Sequence, residues 1–288
     1  MISSDVILPM HKKDLLPPNR RDRSLFIFMV VGIPFAVLWE GCVVLPNYHT
    51  HFSTIVLIHF LASCFIVFNI FGNMYLLKRV DASGKQKSLP AILKQEWRYC
   101  HLCELNSPPR SYHCPICNEC ILKRDHHCMF VGCCVGYHNQ RYYLLTILYI
   151  WIGAIYGVSY QWDYCFQHLG GLRPGSVLIL IAPHFAWVFG AVSSFGFLVA
   201  VLHTLGIVVL VVTSYLLLIQ LLVILYGQTQ YERKHNIESY NLGFKCNLLD
   251  VLGTRWYFVW LFPWIPSTQN GDGLHFFNVS DLENVKNI

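Results

Sequence analysis

The sequence predicts an α-helical polytopic membrane protein with about four transmembrane helices and a small Cys-rich domain between the second and third spans. Of the 288 residues, 55% are apolar and only 13% are charged, a balance that is typical of membrane proteins. Apolar runs of about twenty residues recur along the chain, and each is long enough to cross a hydrocarbon core of about 30 Å. Eight of the twelve cysteines fall within residues 100–134.

The N-terminal half of the membrane part follows a basic segment. Residues 1–24 are polar and contain several Lys and Arg, without the pattern of a cleavable signal. The first two transmembrane helices are predicted within residues 25–77, joined by a short loop that has no Lys or Arg. Glu40 lies inside the first apolar run, and we interpret it as an acid near the far membrane surface rather than a functional group.

The long polar segment between the second and third spans covers residues 78–141 and contains ten Lys and Arg residues. By the positive-inside bias, this segment and the basic N-terminus are predicted to face the cytosol. The cytosol is reducing, so the cysteines of this segment are expected to stay available as thiols and thiolates.

Residues 142–227 are predicted to hold the third and fourth transmembrane helices with an extra apolar segment. Ser176 to Tyr226 is a run of 51 residues without Asp, Glu, Lys or Arg, which is too long for one helix. Two full spans would place the tail, residues 228–288, in the lumen, but this tail carries Arg233, Lys234, Lys245 and Arg255. We therefore predict one span over about 203–226 and a cytosolic tail. The remaining stretch, about 176–200, is predicted to be re-entrant or to lie on the lumenal surface.

The Cys-rich stretch has the spacing of tetrahedral zinc sites. Cys-x-x-Cys pairs with interspersed histidines offer eight ligands, which is enough for two ions. Few apolar residues lie between these ligands, so bound metal is expected to supply the folding energy. Spacing alone leaves both a sequential and an interleaved pairing open. A disulfide framework is the alternative, but it requires an oxidising compartment and leaves the histidines without a role.

The run Asp125-His126-His127-Cys128 contains more chemistry than a zinc site needs. Together with the cysteine spacing, it resembles the DHHC family of membrane protein S-acyltransferases, most strongly over about residues 95–143. The resemblance implies two structural zinc ions with interleaved ligands. One ion would be bound by Cys100, Cys103, His113 and Cys120, and the other by Cys114, Cys117, His127 and Cys134.

The resemblance also implies palmitoyltransferase chemistry. Cys128 would take a long acyl chain from acyl-CoA, such as palmitoyl-CoA, and pass it to a cysteine of a substrate protein. His126 would be the base that removes the thiol proton, and Asp125 would orient His126. The CoA phosphates require cationic partners, for which the candidates are Lys123, Arg124 and Arg141.

Other segments resemble the family with some departures. Residues 229–232 read Thr-Gln-Tyr-Glu, similar to the family's Thr-Thr-x-Glu motif. Met129 and Phe130 stand where the family usually has Pro-Trp, and Cys133 replaces the usual Asn before the last zinc ligand. These replacements resemble a divergent animal subgroup, and they bear on rate and substrate range more than on reaction type.

We therefore expect an enzyme that modifies membrane-associated proteins on cytosolic cysteines. The lipid bilayer and acyl-CoA are its other expected partners, and nucleic acid is not expected. A zinc-stabilised scaffold or pseudoenzyme is the alternative, and a channel is disfavoured because the spans lack charged residues apart from Glu40. The expected location is an endomembrane, Golgi or endoplasmic reticulum, with the active site facing the cytosol.

Overall fold

The computed structural model describes residues 14–50, 53–85 and 89–278. Over these residues the α-helices are α1 Arg20–Trp39, α2 Thr54–Arg79, α3 Gln140–His168, α4 Pro174–Ile181, α5 Pro183–Val188, α6 Ser194–Leu225, α7 Gln230–Lys234 and α8 Phe244–Leu252. The strands are β1 Arg98–Cys100, β2 Leu105–Ser107, β3 Tyr112–Cys114, β4 Glu119–Ile121, β5 His126–Cys128 and β6 Cys133–Val135. They form three separate antiparallel hairpins, β1–β2, β3–β4 and β5–β6.

Helices α1, α2, α3 and α6 are long and apolar enough to cross a membrane. The first span continues past α1 through a π-helical turn, Glu40–Val44, and a 3-10 turn, Leu45–Asn47. The three hairpins lie in sequence between α2 and α3. The predicted fold class, four membrane helices with a Cys-rich domain between the second and third, is therefore confirmed.

The segment predicted at about 176–200 divides into two short helices and the start of α6. Helix α4 stops at Ile181 because Pro183 disfavours helical backbone at Ala182, whose φ and ψ are −137° and 62°. At about 1.5 Å per residue, neither α4 nor α5 can cross a membrane. Helix α6 begins at Ser194 rather than at about 203.

The chain divides into two compact units. The second unit consists of residues 30–70 and 147–217 and belongs to the membrane part. Its buried core includes Trp39, Val44, Tyr164, Cys165, Leu169, Val199 and Ala200. Within this unit the carboxylate of Glu40 accepts a hydrogen bond from the side chain of Gln161. The acid of the first span thus has a polar partner, which agrees with a structural role for Glu40.

The first unit consists of the described parts of residues 1–29, 71–146 and 218–288. In this unit the C-terminal tail is fastened to the Cys-rich domain. Arg110 donates two hydrogen bonds, of 2.8 and 2.7 Å, to the carboxylate of Glu232, and its guanidinium lies 4.3 Å from the ring centre of Tyr240. Farther along the tail, the amide of Gly271 donates to the hydroxyl of Tyr137 at 3.0 Å. The first contact places α7 beside the segment between the first and second hairpins.

Candidate active site and metal centres

Each predicted metal cluster is assembled from two consecutive hairpins. His113 faces Cys120 across β3–β4, and His127 faces Cys134 across β5–β6, so each pair has Cβ atoms about 5 Å apart. The other two ligands of each cluster come from the hairpin before it, one from the end of its first strand and one from its turn. The four ligand atoms of each cluster lie within 4.8 Å of one another, and the clusters are Cys100, Cys103, His113 and Cys120, and Cys114, Cys117, His127 and Cys134.

The donor distances in these clusters fit zinc. A tetrahedral ion with bonds of about 2.3 Å to sulfur and about 2.0–2.1 Å to nitrogen separates sulfur from nitrogen by about 3.5 Å and two sulfurs by about 3.8 Å. The Sγ atoms of Cys114, Cys117 and Cys134 lie 3.7, 3.3 and 3.6 Å from Nδ1 of His127, and Sγ of Cys117 lies 3.7 Å from Sγ of Cys134. Both clusters could therefore hold a tetrahedral metal ion, and their three-thiolate, one-imidazole donor set suits zinc.

Strand β5 separates the metal ligand from the groups predicted to react. Successive side chains of a strand point to opposite faces, so residues 126 and 128 share one face and residue 127 takes the other. His127 accordingly joins the second metal cluster. On the opposite face the side chains of His126 and Cys128 are close enough to interact electrostatically, and the Cys128 side chain is buried. A single three-residue strand thus places the predicted base beside the predicted nucleophile.

Asp125 lies behind His126 and is surrounded by hydrogen-bond donors. Its Oδ2 is 2.8 Å from Nδ1 of His126, which leaves Nε2 of the imidazole for the thiol proton. Gln220 Nε2 donates to Oδ2 at 2.9 Å, Gln230 Nε2 donates to Oδ2 at 3.0 Å, and the Gln230 amide donates to Oδ1 at 2.8 Å. Burial would raise the pKa of Asp125, but these bonds and the nearby imidazole hold it below its ordinary value. The carboxylate is therefore ionised.

The protonation of His126 follows from the same contacts. Burial acts to lower the pKa of this imidazole, but the hydrogen bond and charge of Asp125, together with the nearby Cys128 sulfur, outweigh burial and raise the pKa to about 9. The imidazolium that forms when His126 accepts a proton is thus stabilised where it lies. This is the electrostatic arrangement that a base beside a thiol needs.

The three cations predicted to contact CoA phosphates are not on a free surface. Lys123 forms an ion pair with Asp250, and Arg141 donates to the backbone oxygen of Ser267 at 3.0 Å; both cations are buried. Arg124 is partly buried, and it interacts electrostatically with the thiolates of the second metal cluster. This placement does not support the predicted phosphate contact, because each cation already has protein partners. Arg21 is an exposed cation beside the loop that follows Cys128, the predicted nucleophile, since its guanidinium lies 3.5 Å from Sδ of Met129.

Two further residues of the site were not predicted. Gln220 is fully buried in α6, and it receives a 3.3 Å hydrogen bond from Gln140 while donating to Asp125. Its signal in the sequence is a lone amide in a long apolar run, a pattern that often marks a functional group inside a membrane helix. Asp22 contacts His127 from a position 105 residues away in sequence, and no local pattern could indicate that contact.

The comparisons with known proteins agree with this geometry. The family model for the DHHC palmitoyltransferase matches residues 93–237. A probable palmitoyltransferase ZDHHC24 from Danio rerio is 35% identical over 267 residues, covering 91% of this chain and 90% of that protein. Proteins of the same name are also 35% identical, over 74% of this chain and 76% of the Rattus norvegicus protein, and over 76% of this chain and 78% of the Homo sapiens protein.

The chain belongs to the DHHC palmitoyltransferase family. The family and enzyme class predicted from the sequence are therefore confirmed. The structure also shows what one of this chain's departures from the family motif contacts. Gln230, which replaces the second threonine of the Thr-Thr-x-Glu motif, is the residue that donates twice to Asp125. Thr229 and Glu232 form a reciprocal capping box at the start of α7, which holds Gln230 at that position.

Proposed function

We propose that this protein transfers a long-chain acyl group from acyl-CoA to cysteines of membrane-associated proteins through a thioester on Cys128. The observation that carries the proposal is that His126 is hydrogen-bonded to Asp125 and lies on the same face of β5 as Cys128. A carboxylate, an imidazole and a thiol stand there in the order that nucleophilic catalysis requires. Membership of the DHHC palmitoyltransferase family supports acyl transfer as the reaction.

The proposed reaction has two balanced half-reactions. In the first, His126 takes the proton of the Cys128 thiol, and the sulfur attacks the thioester carbonyl of acyl-CoA. A bond forms between this sulfur and the acyl carbon, the bond to the CoA sulfur breaks, and CoA leaves as a thiol with the proton from His126. In the second, a substrate cysteine gives its proton to His126 and attacks the acyl-enzyme, which returns the Cys128 thiol. One thioester replaces another each time, so no oxidant or reductant is needed.

We also propose that both Cys/His clusters hold zinc. Bound zinc would supply folding energy to a domain with little apolar core. Each cluster draws its ligands from two consecutive hairpins, so two ions would hold the three hairpins against one another. The second cluster includes His127 of β5, and it thereby keeps His126 and Cys128 fixed on the opposite face of that strand.

The donor's hydrocarbon tail is expected to remain in an apolar environment during transfer. Cys128 lies twelve residues before Gln140, where the third membrane-spanning helix begins. Burial of a sixteen-carbon chain contributes about 0.8 kcal/mol per CH₂, so the tail favours the membrane while its thioester meets Cys128. Arg21 is better placed for the CoA phosphates than the three predicted cations, because it is exposed beside Met129.

We further propose that the Cys-rich domain, the basic N-terminus and the tail face the cytosol of an endomembrane, Golgi or endoplasmic reticulum. This orientation follows from the Lys and Arg of these segments and from their absence in the loop after the first span. In sealed microsomes, we expect protease to remove a reporter fused after Ile288 and to cleave within residues 80–140. A protected reporter with an accessible Cys-rich domain would contradict the predicted side of the tail.

The experiment that tests the function is acyl labelling of the purified chain. Incubation with palmitoyl-CoA is expected to give a protein-bound label that neutral hydroxylamine releases, because hydroxylamine cleaves thioesters. The label is then expected to pass to a cysteine-containing, membrane-bound acceptor protein. A scaffold without acyl transfer, the alternative, predicts no hydroxylamine-labile label on a chain that still carries zinc. The assembled Asp125, His126 and Cys128 favour the enzyme over this alternative.

A further inference from the structure

The segment before the first membrane helix folds onto the loop that follows the predicted nucleophile. Asn19 caps α1 with its Oδ1, which accepts the backbone amide of Asp22 at 2.8 Å. Pro17 is buried, and it lies so close to Gly132 that a Cβ atom added to Gly132 would be 2.5 Å from the Pro17 ring. Gly132 has φ +64°, a conformation that favours glycine. Residues 17–22, called the N-terminal segment below, therefore pack in a defined position against the loop 129–132.

In this position Asp22 contacts a ligand of the second metal cluster. Its side chain is buried, and its Oδ2 lies 2.8 Å from Nε2 of His127. The other ring nitrogen of His127, Nδ1, points to the sulfurs of that cluster. Oδ2 also accepts a 2.6 Å hydrogen bond from Asn19 Nδ2. The His127 imidazole thus lies between the Asp22 carboxylate and the sulfurs of the second cluster, as in other sites where a carboxylate orients a zinc-binding histidine.

We propose that Asp22 is a positioning residue for the second zinc ion, so that the N-terminal segment forms part of the catalytic domain. By accepting a hydrogen bond from Nε2–H, Asp22 fixes the tautomer that would present Nδ1 to the metal, and it holds the ring in its orientation. His127 lies between His126 and Cys128 in β5, so a fixed His127 also fixes the strand that carries them. This inference rests on the proposed zinc sites but not on acyl transfer.

The first test measures zinc release from the full-length chain in detergent, with a chromogenic chelator in excess. Wild-type protein is expected to hold two zinc ions. Losing such a partner usually weakens metal affinity about 10–100-fold, so Asp22→Ala is expected to release one of them faster by about that factor, while the other leaves at the wild-type rate. Asp22→Asn keeps an oxygen that can accept a hydrogen bond from Nε2–H, and it is expected to release zinc at a rate close to that of the wild type. Asp14→Ala, which changes an exposed acid just before the N-terminal segment, is expected to behave as wild type.

A second variant separates this role from simple helix capping. Asn19→Ala removes the cap of α1 but leaves the Asp22 carboxylate available to His127. It is expected to release zinc much more slowly than Asp22→Ala. Equal release from both variants, or wild-type release from Asp22→Ala, would overturn the inference while leaving the zinc sites in place. A wild-type chain with fewer than two zinc ions would overturn the metal sites themselves, and the inference with them.

Discussion

Cys128→Ser is expected to abolish acyl labelling of the protein while zinc content and expression stay at wild-type levels. An alcohol is far less ionised than a thiol at neutral pH, so serine cannot serve as the attacking group even with His126 beside it. Cys128 belongs to neither metal cluster, and the exchange of sulfur for oxygen changes side-chain volume little. The measurements are hydroxylamine-labile palmitate and zinc per chain on the same preparation.

Cys133→Ser is the matched control for this variant. Cys133 lies directly opposite Cys128 across β5–β6, it is not a ligand in either cluster, and its Sγ makes a long contact of 3.7 Å with the Leu77 carbonyl. Labelling is expected to remain near the wild-type level in this variant. If Cys128→Ser still accepted a labile acyl group and Cys133→Ser did not, the nucleophile would be Cys133.

The same labelling assay measures how much His126 and Gln220 contribute to the rate of acylation. His126→Ala is expected to keep its metal but to slow self-acylation by about 10²–10⁴, the range for losing a positioned base. Gln220→Leu removes one of the hydrogen-bond donors to Asp125. Because one hydrogen bond to a charged group is lost, self-acylation is expected to slow about tenfold. Both losses are expected in the rate of acylation rather than in the apparent affinity for palmitoyl-CoA, since neither residue is proposed to bind the donor.

The metal clusters could be predicted from sequence because their geometry is local. A Cys-x-x-Cys turn and a His–Cys pair across a short hairpin bring ligands together by strand pairing alone. Alternation along β5 likewise explains why the two histidines in a row have different partners. The fold class was predictable for a related reason, since the length and apolarity of each span are set by the thickness of the bilayer.

The residues that sequence analysis missed depend on contacts between distant segments. Asp22 and His127 are 105 residues apart, and Asp125 and Gln220 are 95 apart, so neither pair leaves a periodic or spaced pattern. The predicted role of Lys123 in phosphate binding failed to gain support for the same reason. Its partner Asp250 lies in the tail, 127 residues away. The position of Lys123 close to Cys128 in the sequence does not reveal that its charge is already paired.

Cys117→Ser is expected to have the largest effect on the folded domain. Cys117 is a ligand of the second cluster, where its sulfur lies within 3.7 Å of both His127 Nδ1 and Cys134 Sγ. Structural zinc contributes about 10–16 kcal/mol to the folding of zinc-finger peptides at pH 7, and a serine hydroxyl is a poor replacement for a thiolate ligand. The variant is therefore expected to lose one zinc ion per chain, to be cleaved by protease within residues 98–135 faster than the wild type, and to lose acyl labelling.

Cys246→Ser is the control for the loss of a cysteine as such, because Cys246 is exposed on α8 and outside both clusters. It is expected to keep two zinc ions and full labelling. The contrast between the variants separates the two ways in which labelling can fail. Cys128→Ser removes the attacking atom from an intact domain, whereas Cys117→Ser leaves the attacking atom on a strand that is no longer held. A Cys117→Ser chain that kept two zinc ions would refute the interleaved assignment, because the second cluster would then have a ligand other than Cys117.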